Sequence, residues 1–261
     1  VRQWSSCGRS VLLALAVDSF ELGLSLEDGA FEGWDGVAAT SRREADLLRT
    51  SFAARPAGTD RVIHQLDLAL DLPRPARPGR CAARFPEGWL VVLDDRSSRL
   101  GQPPDQPADE AVHLALRFPA LALVVVEPTR TSVVRGRSVG VEPAMDRGAL
   151  WETMAGAVAT LDLRQPRPLG REILESMLVS TPVVVPATSQ LARDQAEASN
   201  GGLWYRNSLE LAACVGQLLD PTTRGLLGAQ ARKWASHVHG NQDLFVRATY
   251  DTVLRTSVKR R

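Results

Sequence analysis

The 261-residue sequence predicts an α/β fold: a doubly wound parallel sheet with helices on both faces, preceded by a partial second unit of the same kind. From Trp89 onward, short β-branched apolar runs alternate with helical patterns, the signature of βα units. Hydrophobic residues make up 44% of the chain, enough at this length to bury a core. The run from Leu72 to Arg84, LPRPARPGRCAAR, holds three prolines and four arginines and reads as an extended, exposed linker between two units.

Before that linker, residues 11–17 and 36–40 read as strands. Ser41 with Glu44 forms a capping box opening a helix through Leu48, and a short strand follows at 61–64. After the linker, 89–94 (WLVVLD) is a buried strand, and 108–118 is a helix with Ala111, Leu114, Ala115 and Phe118 on one face. The next strand is 121–127 (LALVVVE); Val139 and Val141 mark a short one before a helix at 146–155. A strand at 157–163, a helix at 171–178 with Ile173, Leu174, Met177 and Leu178 on one face, and a strand at 182–185 continue the alternation.

Asn207 with Glu210 is a variant capping box for a helix burying Leu211, Ala212, Val215, Leu218 and Leu219. Asp220-Pro221 reads as an N-cap and first-turn proline opening a helix to about Ser236, and 244–254 is a last amphipathic segment.

A net charge of +1 on 31 basic and 30 acidic residues argues against a nucleic-acid partner. Lys233 and Lys259 are the only lysines, so the basic residues are almost all arginine, a compositional bias that leaves only a few positions for phosphate recognition. Cys7, Cys81 and Cys214 are odd in number and lack a CxxC pair, which argues against a disulfide framework and a zinc site and fits a reducing cytoplasm. His237 and His239, two apart, do not share a helix face, and His64 and His113 stand alone, so no metal is expected. The apolar stretches at 11–17 and 121–126 are far shorter than a membrane span needs, and the first residues lack a signal-peptide cleavage site. The chain opens on Val1 rather than Met, as a fragment of a longer product would.

The most informative stretch is 168–186, PLGREILESMLVSTPVVVP. Gly170 at a helix start lets backbone approach a ligand, and the first free N–H groups and the helix dipole there favour an anion such as a diphosphate. Glu175, about one turn in, can accept hydrogen bonds from a ribose diol, or can simply pair with Arg171 at i,i+4 as a surface carboxylate. Glu172 reads as a first-turn carboxylate favoured by the dipole. Trp204 and Tyr205 read as core or groove packing.

This stretch resembles the donor-binding domain of the retaining, group-1 glycosyltransferases of GT-B fold, whose motif reads E-x-F-G-x-x-x-x-E-A-M followed by G-T-P-V-V. Leu169 to Met177 and Ser180 to Val184 fit that pattern. Asn200-Gly201-Gly202-Leu203 stands where the family has a D-G-x-x-G-L turn, and Asp220-Pro221 through Arg232 resembles its D-P-x-x-R-x-x-L-G-x-x-A-R helix. Trp34 to Ser41 and Val62 to Asp67 resemble the segments closing the acceptor domain and linking the halves, so the resemblance covers most of residues 34–254.

The resemblance implies a GT-B-like architecture of Rossmann-like units: an acceptor-side partial domain at 1–75, a nucleotide-sugar-binding domain at 76–240, and a C-terminal helix and tail at 241–261. It also implies sugar transfer from a nucleoside diphosphate sugar to a glycan or lipid acceptor with retention, without a metal or other cofactor, in polysaccharide biosynthesis. The protein would be cytoplasmic, or peripheral at a membrane. Donor-binding residues carried over by position are Gly170, Arg171, Glu175 and Arg96, with Arg99 a second diphosphate candidate and Arg167 a candidate for charge neutralisation.

Two departures matter. Arg167 stands where the family has the first glutamate of its pair, and Asp95-Arg96 replaces Gly-Arg. Arg164, Arg167 and Arg171 also read as a solvated basic edge. The residues before the linker are on the order of half an acceptor domain. A non-catalytic sugar-nucleotide-binding or scaffold subunit is therefore the alternative.

Overall fold

The structure, a computed structural model, describes residues 2–6, 9–16, 36–39, 46, 49–50, 62–65, 83–94, 109–127, 130–136, 138–164, 170–240, 246–247 and 251. The capping box at Ser41 and Glu44, most of the linker and most of the segment at 244–254 lie outside them. The chain divides into two compact units, one of residues 1–70 with 238–261 and one of residues 71–237.

In the first unit, β1 (Arg2–Ser6), β2 (Arg9–Ala16), β3 (Gly36–Ala39) and β4 (Val62–Gln65) form a sheet in that order. β1 runs antiparallel to β2, while β2, β3 and β4 are mutually parallel. The three parallel strands coincide within a residue or two with those read from sequence; β1 was not foreseen.

The second unit holds a seven-stranded sheet. Its strands are β5 (Trp89–Leu93), β6 (Ala122–Val126), β7 (Arg130–Arg135), β8 (Ser138–Pro143), β9 (Ala159–Asp162), β10 (Val183–Pro186) and β11 (Gly202–Tyr205), in the order β11-β10-β9-β5-β6-β7-β8. Its helices are α1 (Asp109–Arg117), α2 (Arg147–Met154), α3 (Arg171–Leu178), α4 (Gln190–Ser199), α5 (Ser208–Leu218) and α6 (Pro221–Val238). β5 and β9 are buried along their whole length, as strands covered on both faces must be. One face packs Leu90, Val92, Leu123, Val125 and Leu161 against Leu114 of α1 and Leu211, Val215 and Leu218 of α5. On the other face the Ser176 hydroxyl of α3 donates to Thr160 Oγ1 of β9 at 2.8 Å. There Thr181 Oγ1 also donates to the carbonyl of Met154 at 2.6 Å.

The parallel sheet expected from sequence is corrected at one edge: β7 pairs antiparallel with both β6 and β8. β6 ends at Val126 and β7 begins at Arg130. A parallel return needs a crossover of a dozen residues or more, so this gap permits only a reversal. Gly136, at φ 53, turns β7 back into β8, which contains the predicted Val139 and Val141. α4 and β11 were also not foreseen, although their junction carries a helix-stop signal: Asn200 caps α4 in the left-handed conformation, φ 47.

Candidate functional site at the carboxyl ends of β5 and β9

β5 and β9 are parallel neighbours whose chains leave in opposite directions, β5 toward β6 and β9 toward β10. That is a topological switch point, and open α/β sheets bind ligands in the crevice outside the strands' carboxyl ends there. α2 enters β9 and α3 leaves it, so the N-termini of both helices lie at the carboxyl end of β9. The site is therefore built from Asp94 after β5, Asp162 at the end of β9, and the first turns of α2 and α3.

Two charge clusters occupy this edge. In the first, Arg164 grips Asp162 with two nitrogens, Nε to Oδ1 at 2.8 Å and Nη2 to Oδ2 at 3.0 Å. Its Nη1 donates to Glu172 Oε2 at 3.1 Å. Burial opposes the Arg164 charge, but the hydrogen bonds and charges of Asp162 and Glu172 outweigh it and hold the guanidinium above its ordinary pKa. Arg164 is thus a half-buried, locked cation rather than part of a solvated basic edge, because β9 delivers it onto its own terminal aspartate. Tyr205 fastens the same strand end, its hydroxyl donating to the Asp162 carbonyl at 3.0 Å.

Gly170 caps α3 without a side-chain hydrogen bond, leaving the helix's first amides without that partner. The close approach that a glycine permits is used by the protein itself: a β-carbon here would collide with the Arg164 guanidinium and lie 2.8 Å from Glu172 Oε2. Glu172 occupies the first turn, as expected from the helix dipole.

The second cluster centres on Glu175, whose side chain is 2% exposed. Arg171 Nε lies 2.8 Å from its Oε1, the i,i+4 pairing considered from sequence but in a buried setting. Arg147, the first residue of α2, contacts the same oxygen through Nη2. Its guanidinium stacks 4.8 Å from the Trp151 ring centroid. Arg147 and Asp162 were not singled out in sequence. Arg147 follows an N-cap, Asp146, whose side chain accepts from Ala149 N, and nothing local indicates that it reaches α3.

Of the sequence-derived candidates, Gly170, Arg171 and Glu175 meet at this edge, while Arg96, Arg99 and Arg167 lie outside the described residues. Among the described residues there is no group of three or more His, Cys, Asp and Glu side chains suited to a metal, and no helix long and apolar enough to cross a membrane.

A separate concavity of about 680 Å³ lies along β11, lined by Asn200, Trp204, Cys214, Gln217, Leu227 and Gln230 among others. Arg193 and Arg206 stack on Trp204 at 4.3 and 4.8 Å. Burial, with help from the charge of Glu210, pushes the Cys214 thiol up, which disfavours a reactive thiolate.

No protein-family model matches the chain, and no curated protein does. Solved structures do. The chain is similar to sucrose-phosphate synthase from Thermosynechococcus elongatus, with TM-score 0.66 and 19% identity over 92% of this chain and 62% of that one. It is similar to Anabaena HepE in complex with UDP-glucose, with TM-score 0.66 and 16% identity over 95% of this chain and 72% of that one. It is also similar to WaaG, a glycosyltransferase involved in lipopolysaccharide biosynthesis, with TM-score 0.58 and 14% identity over 93% of this chain and 74% of that one. The chain thus spans less than two thirds of the synthase's length. At these identities the likeness establishes the fold, an α/β fold matching GT-B glycosyltransferases.

Proposed function

We propose that the chain binds a nucleoside diphosphate sugar at the carboxyl ends of β5 and β9 and belongs to a glycosyltransferase that passes the sugar, with retention, to a glycan or lipid acceptor in polysaccharide assembly. The observation that carries this reading is the meeting of the α3 N-terminus, Arg171 and Glu175 at the switch point. The amides after Gly170 lack a side-chain cap, and Arg171 is 43% exposed beside them. Together they present preorganised positive potential to a departing diphosphate. With arginine meeting that charge, no metal or other cofactor is required; Arg96, Arg99 and Arg167 are assigned the same role by the motif resemblance alone. Glu175 anchors Arg171, and with its side chain 2% exposed it meets a ribose diol only when the covering arginines move aside. Placement in the cytoplasm, or peripherally at a membrane, follows the same reading.

A non-catalytic sugar-nucleotide-binding subunit is the second reading, favoured by one observation. Arg164 lies against Gly170, where a catalytic diphosphate would be expected, and Arg167 replaces the family's first glutamate. Calorimetric titration of the full chain with UDP-, GDP-, ADP- and dTDP-sugars, with donor hydrolysis measured in parallel, separates the readings. Binding with turnover, both weakened at least tenfold by Arg171→Ala, supports the enzyme; binding without turnover supports the subunit. If none of these sugars binds, neither reading stands.

A further inference from the structure

Two arginines share one carboxylate oxygen in the second cluster. Arg171 Nε lies 2.8 Å from Glu175 Oε1, and Arg147 Nη2 is in ion-pair contact with the same oxygen. The trio carries a net positive charge, and the two cations are held close despite their repulsion. One buried carboxylate needs only one arginine for neutrality, so the second guanidinium is electrostatically in excess.

Each guanidinium has five N–H donors, and each makes its ion-pair contact with Glu175 through one nitrogen. The side chains of Arg147 and Arg171 are 39% and 43% exposed, so neither is sealed from solvent. Both are held by ion pairs to Glu175, and the Arg147 guanidinium also lies over the Trp151 ring. The amides of α2 add little, because Asp146 already caps that helix. The recognition therefore resides in the two forks.

We infer that Arg147 and Arg171 form a two-arginine clamp for a diphosphate group, with Glu175 as the buried post that sets their spacing. The incoming anion supplies the second negative charge that the trio lacks, and planar forks suit phosphate oxygens. This rests on the donor-site reading and adds Arg147 to it, a residue on a different helix from the glycine and glutamate of the motif.

Calorimetric titration of the full chain with inorganic pyrophosphate, UDP and uridine tests the clamp in the wild type, Arg147→Gln and Arg147→Lys. Wild type is expected to bind pyrophosphate and UDP, and uridine at least tenfold more weakly than UDP. Arg147→Gln should lose tenfold or more toward pyrophosphate and UDP with little change toward uridine, and should show a shallower salt dependence. Arg147→Lys, which keeps the charge but not the fork, should lose less. It also keeps the test open if the glutamine variant fails to fold.

Unchanged pyrophosphate and UDP affinity in both variants overturns the clamp while leaving a nucleotide site intact. Pyrophosphate binding that depends on Arg147, without any gain from the nucleoside, supports the clamp and overturns the nucleotide-sugar reading. Absence of both pyrophosphate and UDP binding in the wild type overturns the clamp, and the wider sugar-nucleotide titration then decides the donor-site reading separately.

Discussion

A β-carbon at Gly228 would run into the carbonyl oxygen of Ser180, so α6 approaches the loop before β10 as closely as it does only because that position has no side chain. Gly228→Ala is expected to destabilise the fold by about 1–3 kcal/mol, the usual cost of overpacking, seen as a lower urea midpoint at unchanged slope. Ser180 itself holds φ 66, a left-handed conformation that costs an L-residue roughly 1–2 kcal/mol. Ser180→Gly removes that strain while loosening the unfolded chain, so a net gain of about 0.5–1 kcal/mol is expected in the same denaturation experiment. Both residues belong to segments picked out by their motif resemblance. Their pairing is a contact between segments distant in sequence, and nothing in either segment announces it. Glu175 teaches a related lesson: its i,i+4 arginine was readable from spacing, whereas its burial and its second arginine were not.

Among the elements, the helix caps were the most legible, since a cap is a contact within four residues. Asn207 Oδ1 accepts from Glu210 N at 2.9 Å, and Glu210 Oε2 accepts from Arg206 N at 2.8 Å, closing the capping box read from sequence one residue further out. Asp220 caps α6, its Oδ2 accepting from the hydroxyl of Thr223 at 2.6 Å and from the amide at 2.8 Å. The hydroxyl first, then the amide, hold its carboxyl below the ordinary aspartate range. Folding therefore lowers this pKa. The cap supports α6 above the unfolded carboxyl's value of about 3.9 and is lost as the pH falls through the lower folded value. An NMR titration is expected to show the Thr223 amide shift moving below the usual aspartate range, and Asp220→Asn should abolish that inflection. The β7–β8 hairpin was less legible, because charged and polar residues interrupt β7 and the valines of β8 lie exposed at the sheet edge; the three residues before β7 identify it only once β6 is known to end at Val126.

For the whole molecule, the sheet order sets the site. Placing β9 beside β5 brings Asp162, Arg164 and the starts of α2 and α3 to one edge, although Arg147 and Arg171 are separated in sequence by a strand and a loop. A ligand that binds only the folded state should stabilise the protein through this edge. At 100 times its Kd the gain is about 2.7 kcal/mol. A thermal scan with whichever sugar nucleotide binds in the titration is expected to show a higher midpoint in the wild type and a reduced shift in Arg171→Ala at the same ligand concentration. The β/α alternation, the helix caps at Asn207 and Asp220 and the glycine–carboxylate spacing of α3 were determined by the sequence alone, because periodicity and capping act within a few residues. Strand order, the antiparallel edge, the guanidinium against Gly170 and the two arginines on Glu175 were decided only by the tertiary structure. These depend on which distant segments the packed sheet brings together, and no local pattern encodes that choice.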